Sequence, residues 1–379
     1  MPLTAAPPGL KARFSKLPLD LARANGKTAC MAAPILSIDL DAIAANWRAL
    51  DRASASGVQT AGVVKAGAYG LGLDPVVQCL ARAGARRFFV ATTEEGAEAR
   101  SALGPEPQIY ILSGHMVGDT ATLRDADLTP MLNSLDQVTR HLESLPGLNF
   151  GVQLDTGMNR LGMEEPEWEA LAPLILDAGP NLLMSHLACA DDPDHGLNSL
   201  QLANFHAMTD GTGLPRSLAA TGGILLGPAY HFDLTRPGIG LYGGRPYEGA
   251  ARVVTLQLPV IQTRLVAAGE PVGYSCTWIA ERPSLIATVQ GGYADGFLRT
   301  LSNTALLWAG EDPCPVAGRV SMDMITVDVT HLATVPDYLT LIGPQQSVDQ
   351  LADSAATIGY EILTGFGPRL KRRYLESRR

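Results

Sequence analysis

Cysteine is scarce in this chain and poorly placed for either of its structural uses. The five thiols, Cys30, Cys79, Cys189, Cys276 and Cys314, are odd in number and far apart, with no Cys-x-x-Cys or His-x-His spacing around them. That excludes a disulfide framework and a metal site built on zinc-type ligand spacing, and it fits reduced thiols in a cytosol. Long apolar runs are missing as well. None approaches the length of a membrane span, so no membrane partner is expected. Positive charge is also in deficit. At a net charge of −9, nothing electrostatic favours nucleic acid or an anionic lipid surface. Apolar residues, by contrast, are plentiful. A hydrophobic content of 46% against 18% charged residues can fill a large core. At 379 residues, two domains are expected rather than one.

The first thirty residues differ from the rest. Lys11, Arg13, Lys16, Arg23 and Lys27 stand against a single acid, Asp20, and no apolar core of secretory-signal length accompanies them. Residues 1–34 are therefore expected to be a disordered extension outside the fold, with Met31 opening a more ordinary start. A targeting peptide is the competing reading.

From Ile35 onward, short apolar runs alternate with segments at helical spacing. Ala61–Lys65, 86–91, 108–112, 128–132, 150–154, 181–186, 216–220 and 231–236 read as buried strands, about eight in all. Strand and helix alternating about eight times predicts an α/β fold of the (β/α)₈ barrel type over residues 35–250. After Val253 the runs lose their intervening helices. Val253–Thr263, Ser284–Val289, Ala305–Trp308, Met324–Val329 and Tyr338–Ile342 predict a mostly antiparallel β domain over residues 251–379. A helix is expected over Val348–Ile358. The basic tail Arg369–Arg373 reads as a solvated end.

In a barrel, chemistry collects at the C-terminal ends of the strands. Those ends carry Lys65, the loop after Leu154 with Asp155 and Arg160, His186, Thr221-Gly222-Gly223, and Arg236. Each has a bland reading beside the functional one. Lys65 snorkels from a strand end or, desolvated, serves as a reactive amine. Asp155 caps a turn, while Arg160 in the same loop is able to clamp a carboxylate. His186 is a core histidine or a member of the site. The glycine pair after Thr221 ends a strand, or opens a helix whose bare N–H groups suit a phosphate. In the β domain, Tyr274 and Tyr293 sit in glycine turns, where a hydroxyl often satisfies nearby backbone.

Taken together, the motifs resemble the bacterial alanine racemases, enzymes dependent on pyridoxal 5′-phosphate (PLP). They are Val-Val-Lys65-Ala-Gly-Ala-Tyr69-Gly, Leu-Asp155-Thr-Gly-Met-Asn-Arg160-Leu-Gly, Ser-His186-Leu-Ala-Cys-Ala-Asp, Arg236-Pro-Gly238-Ile239-Gly-Leu-Tyr-Gly, Gly-Tyr274-Ser, Gly-Tyr293-Ala-Asp-Gly, and Gly-Arg-Val-Ser-Met322-Asp323. The resemblance runs from about Ile35 to the C-terminus. It implies a barrel followed by a β domain, and a homodimer in which the β domain of one chain completes the other's site. Lys65 would hold PLP covalently and act as base on one face of the substrate. Tyr274 from the partner would serve the other face, linked to His186 and Arg236. Arg236 would face the pyridine nitrogen. Tyr69, Thr221, Gly222, Gly238 and Ile239 would hold the phosphate. Arg160, Met322, Asp323 and Tyr293 would line the substrate site. The implied reaction interconverts L- and D-alanine in the cytoplasm, for peptidoglycan supply or alanine catabolism. No metal is implied.

Three positions depart from the family pattern. Gln153 stands where many relatives carry a carbamylated lysine, and it cannot neutralise Arg160. Ala220 replaces an asparagine. A C-terminal tyrosine that binds phosphate in some relatives has no equivalent near residues 365–369. The other readings are a broader amino-acid racemase, a PLP decarboxylase and a non-catalytic PLP carrier. Arg236 and Tyr274 speak against the decarboxylase, and the β domain against the carrier.

Overall fold

The computed structural model describes residues 33–377; the expected N-terminal extension lies almost wholly outside them. Seven parallel strands form one continuous sheet: Gly62–Val63, Arg87–Val90, Gln108–Ile111, Thr129–Leu132, Gly151–Gln153, Leu183–Met184 and Arg216–Ser217. Leu234–Thr235 closes it. On one side it pairs in parallel with Gln59–Thr60, just ahead of the first strand. On the other, the Arg236 N–H donates to the Ala219 carbonyl at 2.8 Å and the Asp233 N–H to that of Arg216 at 3.0 Å. The result is an eight-stranded α/β barrel, as the alternation predicts.

Its interior is filled by side chains such as Phe89, Tyr110 and Met131, while Phe88 and Val152, on the alternate face, pack against the surrounding helices. Helices follow the strands, from Leu73–Ala83 to the short Thr221–Leu225. The helix Leu40–Ala53, which precedes the first barrel strand, packs against both of these and so fills the ring. Its Asp39 side chain accepts the Ala42 N–H at 2.9 Å, a standard N-cap. Ile43, Trp47 and Leu50 bury one face.

The second sheet is mostly antiparallel, with Val254–Val266 as its spine. Alternate residues of Ser284–Gln290 and Met324–Asp328 point into its core. Three expectations need correction here. Ile35–Asp39, read as the head of the barrel segment, pairs antiparallel with Val254–Gln257 and belongs to this second sheet. The basic tail is not a solvated end. Lys371–Leu375 pairs in parallel with Ile35–Asp39 as an edge strand. The expected helix Val348–Ile358 stops at Ser354, and a separate helix runs over Gly359–Thr364.

The tail also clamps the barrel. The Arg372 guanidinium donates to the Gly70 carbonyl at 2.9 and 3.2 Å, and the Tyr374 hydroxyl to that of Leu71 at 2.9 Å. Gly70 must be glycine. A Cβ there would lie 2.3 Å from the Leu363 carbonyl, and its φ is +80°.

One buried pair makes the fold sensitive to acid. His115 and His141 pack edge to face, 5.5 Å apart, and the Nδ1 of each lacks a hydrogen-bond partner. Burial, then the neighbouring His141 and Arg140, push His115 down to about 4. Between an unfolded value near 6.5 and about 4, the unfolded chain binds more protons than the folded one. Stability is therefore lost as pH falls through that window. Thermal melts from pH 7 to pH 4 should drop more steeply for the native chain than for His115→Gln. Equal slopes would contradict this origin.

Candidate active site

Lys65 follows the buried strand Gly62–Val63 and is partly covered. The four residues after it are unusual. Ala66, Gly67, Ala68 and Tyr69 have φ of 54°, 59°, 55° and 55°, one turn of left-handed helix. For each L-residue this costs about 1–2 kcal/mol. Three of the four carry a Cβ, so the turn persists only because its surroundings hold it. Internal bonds contribute: Ala68 N–H to the Val64 carbonyl, Gly70 N–H to that of Ala66, and Gly72 N–H to that of Gly67, each 2.8 Å. The turn presents Lys65 at the barrel mouth and folds Tyr69 back into the core. Burial, then the charge of Arg160, hold the Lys65 amine below its usual range, with Glu95 partly opposing. A lowered amine is a better base near neutrality.

Arg236 lies at the end of the closing strand and is only 4% exposed. Its guanidinium donates to the Ser217 hydroxyl and to the Ser185 carbonyl, the latter at 2.7 Å. Burial lowers it to about 9, so it remains a cation at neutral pH. Among the described residues no carboxylate pairs with it, and its Nε–H donates to none of them. A buried, unbalanced cation with an open donor calls for an electron-rich partner.

His186 is pushed down to about 3, first by burial and then by Arg236, Arg160 and Lys65. It is therefore neutral at physiological pH. Three of the expected site cations act on this one imidazole, so Lys65, Arg160, His186 and Arg236 share the mouth. Asp155 plays the bland role. Its carboxylate accepts the N–H groups of Gly157, Met158 and Arg160 at 2.8, 2.9 and 3.1 Å, and so shapes the loop that carries Arg160. Gln153 does not reach Arg160. Its amide donates to the Leu161 carbonyl at 3.0 Å.

Beside this group lies a second, backbone-rich cradle. The buried Thr221 Oγ1 accepts from the N–H groups of Gly238 at 3.0 Å and Gly240 at 3.3 Å. Both lone pairs are thereby used, while the hydroxyl proton has no acceptor among the described residues. The first-turn N–H groups beside Gly222 and Ile239 belong to two short helical turns, Thr221–Leu225 and Ile239–Tyr242. The Tyr69 hydroxyl is pressed against Gly238, where a Cβ would lie 2.3 Å from it.

Sequence reading missed one neighbour. Tyr360, on the helix Gly359–Thr364, stands with its ring 5.9 Å from that of Tyr69. Burial, then Asp191 and Asp349, push it up to about 12, so it keeps its proton. A tyrosine thus reaches the cradle from the C-terminal part of the chain, ahead of residues 365–369, where one was sought. A tyrosine one residue into a helix opened by Gly359, close to the C-terminus, was the available signal.

The remaining expected residues sit elsewhere in the chain. Tyr274, Tyr293 and Met322 are 71%, 46% and 53% exposed on the β domain. Among the described residues, no hydrogen bond, ion pair or ring contact ties them to Lys65, Arg160, His186 or Arg236. The turns of Tyr293 and Met322 are instead held to each other. The N–H groups of Tyr293 and Ala294 donate to the carbonyls of Ser321 and Met322, both at 3.0 Å. Arg369 grips buried Asp295 through two bonds of 2.7 and 2.8 Å, and Asp323 through a third of 2.7 Å. Asp323, expected at the substrate, is occupied by this ion pair.

Comparisons with known proteins agree with the geometry. The family described as the alanine racemase N-terminal domain matches residues 38–246, and the alanine racemase C-terminal domain matches 253–374. An alanine racemase of Cereibacter sphaeroides is 68% identical over 344 residues, covering 91% of this chain and 99% of that protein. One from Rhodospirillum rubrum is 47% identical over 360 residues, covering 90% and 96%. A crystal structure of alanine racemase from Bartonella henselae with covalently bound pyridoxal phosphate superposes with a TM-score of 0.85. It is 36% identical, over 91% of this chain and all of that one. With both domains matched in order across nearly all the described residues, this chain belongs to the alanine racemase family.

Proposed function

We propose that the protein is a PLP-dependent alanine racemase that works as a homodimer in the cytoplasm and supplies D-alanine for peptidoglycan or feeds alanine catabolism. One observation carries the reading. A lysine with a lowered pKa, a neutral histidine and two arginines meet beside a cradle of open N–H and O–H donors. The residues present fit the cofactor. The unclaimed Thr221 proton, the N–H groups at Gly222 and Ile239, and the hydroxyls of Tyr69 and Tyr360 suit a phosphate. Gly238 admits the close approach of Tyr69. Arg236 has an open Nε–H that would serve a ring nitrogen of the cofactor, and because a guanidinium keeps its own proton it would leave that nitrogen unprotonated. When bound through Lys65, PLP supplies the electron sink that makes an amino acid's α-proton removable.

Racemisation removes a proton from one face of the α-carbon and returns one to the other. Lys65 would hold and move the proton on one face. Tyr274 of the partner subunit would hold the proton on the opposite face. Arg160 orients the substrate carboxylate, with Met322 of the partner subunit beside it. The exposed apolar side chains of the β domain, Tyr274, Ile279, Met322 and Met324, support a second copy as their cover. Four free thiols and the lack of any helix long and apolar enough to cross a membrane, among the described residues, support the compartment.

The test is turnover. Purified PLP-loaded protein is incubated with a panel of L-amino acids, and D-enantiomers are measured by chiral chromatography. D-alanine should form fastest. Comparable rates across the panel would favour a broader racemase, and no turnover with PLP bound would favour a carrier. Arg369→Ala should loosen the turns carrying Tyr293 and Met322. Its kcat/KM for alanine should fall by roughly ten- to a hundredfold, mostly through KM. An unchanged KM would separate Arg369 from the substrate site.

A further inference from the structure

Thr92-Thr93-Glu94-Glu95 has the spacing of a helix capping box, and Thr92 does cap the helix Thr93–Leu103. In such a box the acid three residues in reaches back to its own cap N–H. Glu95 does something else. One carboxylate oxygen accepts the Ala91 N–H at 2.8 Å, at the end of the strand Arg87–Val90. The other crosses to the neighbouring strand's loop and accepts the Ala66 N–H at 2.5 Å. Ala66 is the residue after Lys65 and the first of the left-handed turn. The far end of that turn is held by Arg372 through the Gly70 carbonyl. Among the described residues, Glu95 is the side chain that holds the near end.

We propose that Glu95 is a positioning residue that locks the left-handed turn after Lys65 to the adjacent barrel strand, and thereby aims the Lys65 amine and the Tyr69 hydroxyl at the cofactor. A left-handed turn bearing three side chains relaxes unless its first N–H is fixed, because each residue gains by returning to the right-handed region. A carboxylate in the first turn of a helix is well suited to the task. The helix dipole favours its charge, and two backbone N–H groups on different elements fix both its oxygens. The aim at the cofactor rests on the reading of Lys65 as the PLP lysine; the lock itself does not.

The experiment uses the full-length, PLP-loaded protein with Glu95→Ala and Glu95→Gln. Amide hydrogen exchange is followed in the segment 65–70 and, as an internal control, in the barrel strand Thr129–Leu132. Exchange at 65–70 should accelerate about tenfold or more in Glu95→Ala, with the control strand unchanged. Glu95→Gln keeps one acceptor oxygen and should fall between, about threefold faster. Where the alanine variant does not fold, the glutamine variant decides. Exchange at 65–70 within about twofold of the native protein, or equal acceleration in the control strand, would overturn the proposal. PLP release is measured in parallel and should quicken with the exchange. Faster exchange with unchanged PLP release would leave the lock standing and overturn its part in aiming Lys65 and Tyr69 at the cofactor.

Discussion

Lys65→Ala should leave a folded protein that no longer carries PLP through gel filtration, has no visible absorbance band and loses at least ~10³-fold of its racemase activity. The expectation is large because no other residue can take over. Lys65 is the lysine that the strained turn presents at the mouth, and its amine is held below the usual range by burial and Arg160. The cradle around Thr221 and Tyr69 would remain, so weak, reversible PLP binding through the phosphate is the expected residue of function. The fold should survive, since Lys65 makes no hydrogen bond among the described residues that the core depends on. A variant that retained the band would place the cofactor lysine elsewhere.

Tyr274→Phe should separate the two faces of the reaction. Removing one hydroxyl from an exposed side chain leaves the β domain intact, yet net inversion should fall by about 10²–10⁴-fold, the usual worth of a positioned acid–base group. Lys65 would still exchange the proton on its own face. In deuterated water, one enantiomer of alanine should therefore continue to take up deuterium at its α-carbon without inverting, while the other loses uptake. Equal losses for both enantiomers would argue against two bases.

Much of this was legible in the chain, for physical reasons that differ from residue to residue. The barrel strands announce themselves because strands buried on both faces read as continuous apolar runs, as Phe88-Phe89-Val90 does. Lys65, His186 and Arg236 were visible as polar residues ending such runs, and Arg160 in the loop that follows one. Pairing between distant segments was not. Ile35–Asp39 reads as a local strand, and nothing nearby says that it joins Val254–Gln257 and Lys371–Leu375. The same non-local pairing turned a basic tail, read as solvated, into an edge strand whose Arg372 holds Gly70, with Arg369 just ahead of it on Asp295. Tyr360 stayed hidden because the helix before it was read through the break at Ala355–Ile358, where Ala356 takes a φ of 55°. The left-handed turn was hidden too. Ala-Gly-Ala-Tyr holds a single glycine, and the contacts that tie the turn's two ends, from Glu95 and Arg372, come from distant parts of the chain.

The central claim is that one working site takes Lys65 from one chain and Tyr274 from the other. Co-expressing Lys65→Ala and Tyr274→Phe chains under different affinity tags, and purifying the doubly tagged dimer, tests it directly. Each variant alone should be nearly inactive. In a two-fold symmetric dimer with shared sites, the mixed species has one site with both defects and one with neither, so it should recover roughly half the native specific activity. Activity no higher than that of the single variants would mean that each chain builds its site alone, and the shared-site account would fall.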